Sequence, residues 1–144
     1  MPLVYFDASA AVKLLAEDEG SDLVAQLWDA CDAAVASRLA YPEVRATLAA
    51  AGRNHGLDAS QLADAERAWE GYWAATRPVE LTAAVGQHAG DLARTHTLRG
   101  ADAVHLASAL VVGDADLIVA VWDRRLYAAA LAVGLRVAPA ALGR

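Results

Sequence analysis

Four acidic residues lie where the sequence pattern places the end of a strand or the start of a helix. Asp7 and Asp123 each follow a short apolar run, while Glu43 and Asp102 each lie in the first turn of a predicted helix. Carboxylate oxygens suit Mg²⁺ or Mn²⁺, which keep several waters and can share a substrate phosphate. Such ions lower the pKa of water and shield a leaving oxygen, so this pattern predicts phosphodiester hydrolysis.

The apolar runs at 3–6 and 117–122 would position two of these acids. Both lack alternation, which is typical of strands buried on both faces of a parallel sheet. Right-handed crossovers point such strands the same way, so their carboxyl ends and the helices that follow meet at one edge. We therefore expect all four acids at that edge. Asp116 precedes the second run and is expected at the opposite edge, roughly 23 Å from Asp123 at about 3.3 Å per residue.

Strand and helix patterns alternate along the whole chain. Strands are predicted at 3–6, 33–36, 79–81, 117–122 and 135–138. Helices are predicted at 8–15, 22–32, 42–54, 59–76, 82–96, 102–112 and 124–133. Ser21 is the expected cap of the second helix, and Pro42 the expected first residue of the third. This order predicts an α/β fold with a central parallel sheet of about five strands and helices on both faces.

Each acid also has a purely structural explanation. Asp is a favoured N-cap, and acids in a first turn interact well with the helix dipole. Capping does not explain why four acids share one edge. A pair of carboxylates about 4 Å apart repels by about 4 kcal/mol at an effective dielectric near 20, so the cluster requires a compensating cation.

Composition limits the classes of function. The net charge of −6 argues against nucleic-acid binding through a broad basic face. A nuclease remains compatible, because a cation at an acidic site presents positive charge to a phosphate. The single cysteine, Cys31, cannot form an internal disulfide, and no apolar run reaches the roughly 18 residues that span a bilayer. We expect one domain over residues 1–144, in the cytoplasm.

Four segments carry a resemblance to a known family: VYFDASA, YPEV, RGADAVHLASAL and VAVWDRRL. They resemble the acidic motifs of the PIN-domain family, specifically its small VapC-type toxin ribonucleases, over residues 3–137. The resemblance implies an α/β/α sandwich and a site that uses Mg²⁺ or Mn²⁺. It implies four catalytic acids, which are Asp7, Glu43, Asp102 and Asp123. It implies three metal-binding residues among them, which are Asp7, Asp102 and Asp123.

Other positions near these motifs are informative. Ser9 matches a small hydroxyl residue that the family often has beside the first acid, and we expect Ser9 and Arg99 to contact substrate. His105 lies one turn beyond Asp102 and is expected to be a packed, hydrogen-bonded residue rather than a ligand. The sequence departs from the family at Val121, where Thr or Ser is common two residues before the fourth acid.

The resemblance implies a metal-dependent endoribonuclease that is the toxin of a type II toxin–antitoxin pair. It further implies an RNA substrate, a homodimer and a small antitoxin protein that blocks the acidic site. Two alternatives remain open at this point. One is a PIN nuclease of RNA processing without an antitoxin, and the other is an inactive PIN-fold module that binds RNA or protein. The aromatic residues Trp69, Tyr72 and Trp73 are expected to pack, and a dimer or antitoxin contact is expected to bury part of the helical pair from Glu43 to Ala75.

Overall fold

The computed structural model describes residues 2–143. Its strands are β1 (Val4–Phe6), β2 (Ala34–Ser37), β3 (Thr76–Val79), β4 (Ile118–Ala120) and β5 (Arg136–Ala138). Its helices are α1 (Ala8–Ala11), α2 (Ser21–Ala30), α3 (Ala40–Arg53), α4 (Ala59–Ala74), α5 (Ala83–His96), α6 (Gly100–Val112) and α7 (Arg124–Ala132). Within the described residues, five parallel strands form one sheet in the order β3-β2-β1-β4-β5. The predicted α/β fold with a central parallel sheet is confirmed.

The central strand β1 anchors an apolar layer on each face of the sheet. Tyr5 packs in a core with residues of α5, α6 and α7, including Leu106. Its neighbours Val4 and Phe6 belong to a second core, which includes Val24 of α2. Successive side chains of a strand point to opposite faces, so this division follows directly from the strand geometry. Helices therefore cover both faces, as the alternating order predicts.

A third apolar cluster joins α1 to the helical pair α3 and α4. Trp69 is 2% exposed at its centre. Its ring centroid lies 5.7 Å from that of Trp73 and 6.3 Å from that of Tyr41. The aromatic residues of α4 therefore pack as predicted, and they hold α3, which carries Glu43, against α4.

The third strand is displaced from its predicted position. The sequence pattern places it at 79–81, whereas β3 spans Thr76–Val79 and the preceding helix ends at Ala74. Pro78 lies inside β3, opposite Ala36 of β2. Proline cannot donate to a strand ladder, but β3 is at the edge of the sheet, where a missing N–H is tolerated.

The segment after β1 also differs from the prediction. Instead of one helix over 8–15, α1 ends at Ala11 and a 3-10 turn follows at Val12–Leu14. Gly20, with φ of 89°, is the cap of α2, and Ser21 is the first helical residue. A Cβ atom on Gly20 would lie 2.6 Å from the ring of Trp122. Glycine is therefore needed both for the backbone conformation and for close packing of this tryptophan.

Smaller differences concern element ends. β4 is shorter than the predicted run, so Val121 and Trp122 lie between β4 and α7. Pro42 is the third residue of α3 rather than the first, and Glu43 remains in the first turn. In residues 2–143 we find no helix with both the length and the apolar character to cross a membrane.

Candidate active site

Asp7 is the innermost acid of the predicted site. It follows β1 directly, caps α1 and is 3% exposed. Its Oδ1 atom accepts hydrogen bonds from the Ala10 N–H at 2.9 Å and from the Ser9 hydroxyl at 2.6 Å. Burial raises the pKa of Asp7 to about 6, although His105 and both hydrogen bonds act to lower it. The protein therefore holds a carboxyl group whose ionised form would be stabilised by a nearby cation.

The Ser9 hydroxyl connects this first acid to the segment that carries the fourth. Besides donating to Asp7, it accepts a hydrogen bond from the Trp122 N–H at 3.0 Å. Val121, where the family commonly has a hydroxyl residue, is fully buried in the apolar core. Ser9 thus fixes the backbone immediately before Asp123. Direct contact between Ser9 and substrate stays a prediction.

Glu43 enters the site from the first turn of α3 and contacts a buried histidine. Its Oε1 atom lies 2.5 Å from Nε2 of His105, and Nδ1 of His105 lies 2.7 Å from the hydroxyl of Tyr5. Burial favours the neutral imidazole, but the carboxylates of Glu43, Asp7 and Asp102 outweigh it and raise the pKa of His105. The histidine is therefore both packed, as predicted, and part of the acidic site.

Asp102 and Asp123 complete the group of acids. Asp102 is half-buried in the first turn of α6, and Asp123 is exposed and caps α7 through the Leu126 N–H at 2.9 Å. Burial raises the pKa of Asp102, and the charges of Asp123 and Glu43 raise it further. Glu43 likewise acts on the pKa of Asp7. These mutual effects place the four acids in one electrostatic cluster, which we call the acidic cluster.

A cleft of about 340 Å³ opens between these residues. It is lined by Asp7, Ala8, Ser9, Val12, Glu43, Thr47, Asp102 and His105. Asp123 is outside that lining and acts on the cleft through its charge on Asp102. Asp116 lies elsewhere, beside Leu3 and Ile118 at the start of β4 and 3.9 Å from Arg136. The structure thus brings the four acids into one cluster and places Asp116 at the opposite edge of the sheet, as predicted.

The donor set restricts the kind of cation that could bind. Within residues 2–143, no three His, Cys, Asp or Glu side chains are arranged to enclose a metal ion. Zinc sites of three or four protein ligands therefore do not fit this cleft. Mg²⁺ and Mn²⁺ do fit, because they take one or two carboxylates and complete their shell with water and substrate phosphate.

One of the three arginines that flank the third and fourth acids acts on the cluster. Arg99 precedes α6, and its charge lowers the pKa of Asp102. Arg124 instead donates to the Gly143 carbonyl, and Arg125 lines a separate cavity beside α5. Contact between Arg99 and substrate stays a prediction.

Sequence analysis did not anticipate the part that three residues take in the site. His105 was expected to be packed and hydrogen-bonded rather than a ligand, although its spacing of three residues from Asp102 places both on one face of α6. Tyr5 carries no local signal, because a tyrosine in a buried apolar strand reads as core. Thr47, one turn after Glu43, was also overlooked as a lining residue.

Comparison with known proteins shows relatives of this chain. The PIN domain family model matches residues 4–132. Two curated proteins of Mycobacterium tuberculosis are each 74% identical to this chain over 142 residues, and each match covers 99% of this chain and 99% of the relative. They are Ribonuclease VapC45 (strain CDC 1551 / Oshkosh) and Ribonuclease VapC49 (strain ATCC 25618 / H37Rv).

Solved structures with low sequence identity share the fold. Mycobacterium tuberculosis VapC20, a sarcin-ricin loop cleaving toxin, is 18% identical with a TM-score of 0.65 and covers 88% of this chain and 94% of its own. FitAcB from Neisseria gonorrhoeae is 20% identical with a TM-score of 0.65, and the match covers 93% of this chain and 95% of the FitAcB chain. A chain of a toxin–antitoxin complex from Klebsiella pneumoniae is 17% identical with a TM-score of 0.61, and the match covers 87% of this chain and 90% of that chain.

Proposed function

The chain belongs to the PIN-domain family and is a VapC-type ribonuclease, and we propose that its cleavage of RNA depends on a divalent cation held by the acidic cluster. The observation that carries the proposal is the burial of Asp7 in a cleft with Glu43 and Asp102. Buried carboxylates that raise one another's pKa are unfavourable in the free protein. A bound Mg²⁺ or Mn²⁺ would offset both the burial and the repulsion.

We assign the metal-binding role to Asp7, Asp102 and Asp123, with one or two of these carboxylates in direct contact with the cation and the remainder reaching it through its waters. We assign a catalytic role to all four acids of the cluster. When bound, the cation would lower the pKa of water for attack on the phosphodiester and neutralise charge on the leaving oxygen. Ser9 holds Asp7 in place through its 2.6 Å hydrogen bond. The effect of the Arg99 charge on Asp102 supports a contact between its guanidinium and a backbone phosphate of RNA, which would position the strand without reading its sequence.

We further propose that the protein acts in the cytoplasm as the toxin of a type II pair, with a small antitoxin protein as partner and a homodimer as its own assembly. The family membership and the VapC-type relatives support the antitoxin. Leu81, which is 53% exposed, and the half-buried Trp73 line a largely apolar groove of about 540 Å³ with Pro42 and Tyr41. Such a groove supports burial of this face in an assembly.

The metal requirement is tested by RNA cleavage with Mg²⁺, with Mn²⁺ and with EDTA, using wild type, Asp102→Asn and the matched control Asp116→Asn. We expect cleavage by wild type and Asp116→Asn with either metal, and none in EDTA. Asp102→Asn should be inactive while remaining folded by thermal unfolding. Full cleavage by a verified metal-free preparation would refute the metal requirement, and equal losses from both substitutions would refute the assignment of the site.

A further inference from the structure

A buried chain of hydrogen bonds runs from the sheet to Glu43 and crosses four elements. The Ser37 N–H of β2 donates to the Tyr5 hydroxyl at 3.1 Å. The Tyr5 hydroxyl lies 2.7 Å from Nδ1 of His105, whose Nε2 lies 2.5 Å from Oε1 of Glu43. Tyr5 is fully buried and His105 is 3% exposed. The three side chains and one backbone amide therefore form a connected network that is buried from Ser37 to His105 and reaches partial solvent exposure at Glu43.

The chemistry of the end groups fixes the direction of both bonds when His105 is neutral, and Nε2 donates to Glu43 in the protonated ring as well. An ionised carboxylate can only accept, so Nε2 of His105 carries a hydrogen and donates it to Glu43. In the neutral imidazole, Nδ1 then has no hydrogen and accepts from the Tyr5 hydroxyl. The Tyr5 hydroxyl accepts the hydrogen bond from the Ser37 N–H, so its own hydrogen is free to be donated to Nδ1 of His105. Tyr5 therefore selects the tautomer in which His105 can hold Glu43.

Glu43 needs such a restraint. Its side chain is 30% exposed and begins in the first turn of α3, so solvent is within reach. The charges of Asp7 and Asp102 in the same cleft repel it. A flexible glutamate in this position would turn away from the other acids, unless a donor held it. His105 is the donor that contacts it.

We propose that His105 is a positioning residue that holds the Glu43 carboxylate in the acidic cluster, with Tyr5 as the residue that fixes its tautomer. The proposal rests on the proposed function, because Glu43 matters only if the cluster cleaves RNA. His105 acts through Glu43 and not on the substrate. Loss of the bond should therefore lower kcat and leave KM nearly unchanged.

The test compares His105→Asn with His105→Gln. The Asn amide reaches only the position of Nδ1, so it keeps the Tyr5 contact and loses Glu43. The longer Gln amide places an N–H near the position of Nε2 and retains the bond to Glu43. With a fluorescent RNA oligonucleotide that wild type cleaves in Mn²⁺, we expect kcat about 10- to 100-fold lower for His105→Asn. We expect rescue to within about 5-fold in His105→Gln, and the exposed control His88→Asn should match wild type.

Thermal unfolding in EDTA tests the contact without activity. We expect His105→Asn to lower Tm by more in the wild-type background than in a Glu43→Ala background, because the partner is already missing there. Equal shifts in the two backgrounds would contradict the contact. If His105→Asn does not fold, Tyr5→Phe replaces it, with an expected fall in kcat at constant KM.

The two hypotheses fail in different ways. Suppose that wild type cleaves RNA. If the kcat of His105→Asn, or of Tyr5→Phe where that variant replaces it, then equals the kcat of His88→Asn, the role of His105 is refuted and the proposed function stands. A larger loss in His105→Gln than in His105→Asn would also refute it. If wild type does not cleave any RNA with Mg²⁺ or Mn²⁺, the proposed function fails and the positioning role fails with it.

Discussion

Replacing Asp7 by Asn should stabilise the metal-free protein. The Asn carbonyl can still accept from the Ala10 N–H and the Ser9 hydroxyl, so the cap remains. What changes is the buried charge. The rise in the pKa of Asp7 from 3.8 to about 6 corresponds to a cost of about 3 kcal/mol for the ionised group at pH 8. Loss of the helix-dipole interaction subtracts ~0.3–1 kcal/mol, which leaves a gain of about 2 kcal/mol.

The sign of the pH dependence follows from the direction of this shift. Because the folded-state pKa of Asp7 lies above the unfolded value, the native state binds more protons than the unfolded state between pH 3.8 and about 6. Wild-type stability contributed by this group is therefore present at low pH and is lost as the pH rises through that window. Asp7→Asn lacks this loss of stability. The difference in free energy of unfolding between Asp7→Asn and wild type should therefore be largest at pH 8 and nearly absent at pH 4.

Urea unfolding of both proteins in EDTA, at pH 4, 6 and 8, measures the difference. A variant that is less stable than wild type at pH 8, or whose difference from wild type is independent of pH, would refute the account of Asp7 as an unfavourable buried charge. Saturating Mn²⁺ at pH 8 provides the complementary condition. Wild type should gain stability from the metal and the variant much less, which reverses their order.

Four further predictions concern the site, the packing of the chain and its assembly. Ser9→Ala removes a hydrogen bond that lowers the pKa of Asp7, so the acid limb of the pH–rate profile should move to higher pH. The exposed control Ser60→Ala should leave the acid limb in place. Identical profiles for the two variants would count against a link between Ser9 and the pKa of Asp7. Gly20→Ala should destabilise by about 1–3 kcal/mol, because it combines a positive φ with a Cβ atom 2.6 Å from a tryptophan ring. Gly71→Ala, in α4, where an added Cβ would meet no side chain or other segment within 4 Å, should stabilise by about 0.5–1 kcal/mol. Unfolding curves that rank the two variants alike would contradict this packing. Light scattering should give a dimer, and a monomer at high concentration would remove the homodimer from the proposal.

The order of strands and helices and the shared edge of the acids were predictable because they depend on local patterns. Asp7 and Asp123 each follow an apolar run, and Asp102 begins a helix with a face of small residues. Parallel strands with right-handed crossovers then allow few arrangements. The same reasoning separated Asp116 from the site.

Features that depend on distant partners were not predictable in this way. The Tyr5 to His105 contact joins residues 100 positions apart, and that from His105 to Glu43 spans 62 positions. No local periodicity carries such information. The position of β3 is a similar case, since Pro78 is acceptable in a strand only because that strand is at the sheet edge. The substrate contacts expected of Ser9 and Arg99 stay predictions, because they depend on a partner molecule.

The central claim is that the acidic cluster holds the cation required for RNA cleavage. Anomalous diffraction from crystals soaked in Mn²⁺, recorded near the manganese absorption edge, locates the ion directly. We predict a peak in the cleft between Asp7 and Asp102, present in wild type and absent from Asp102→Asn crystals grown and soaked in the same way. A wild-type cleft without a peak at saturating Mn²⁺, or a peak found beside Asp116 instead, would contradict the account.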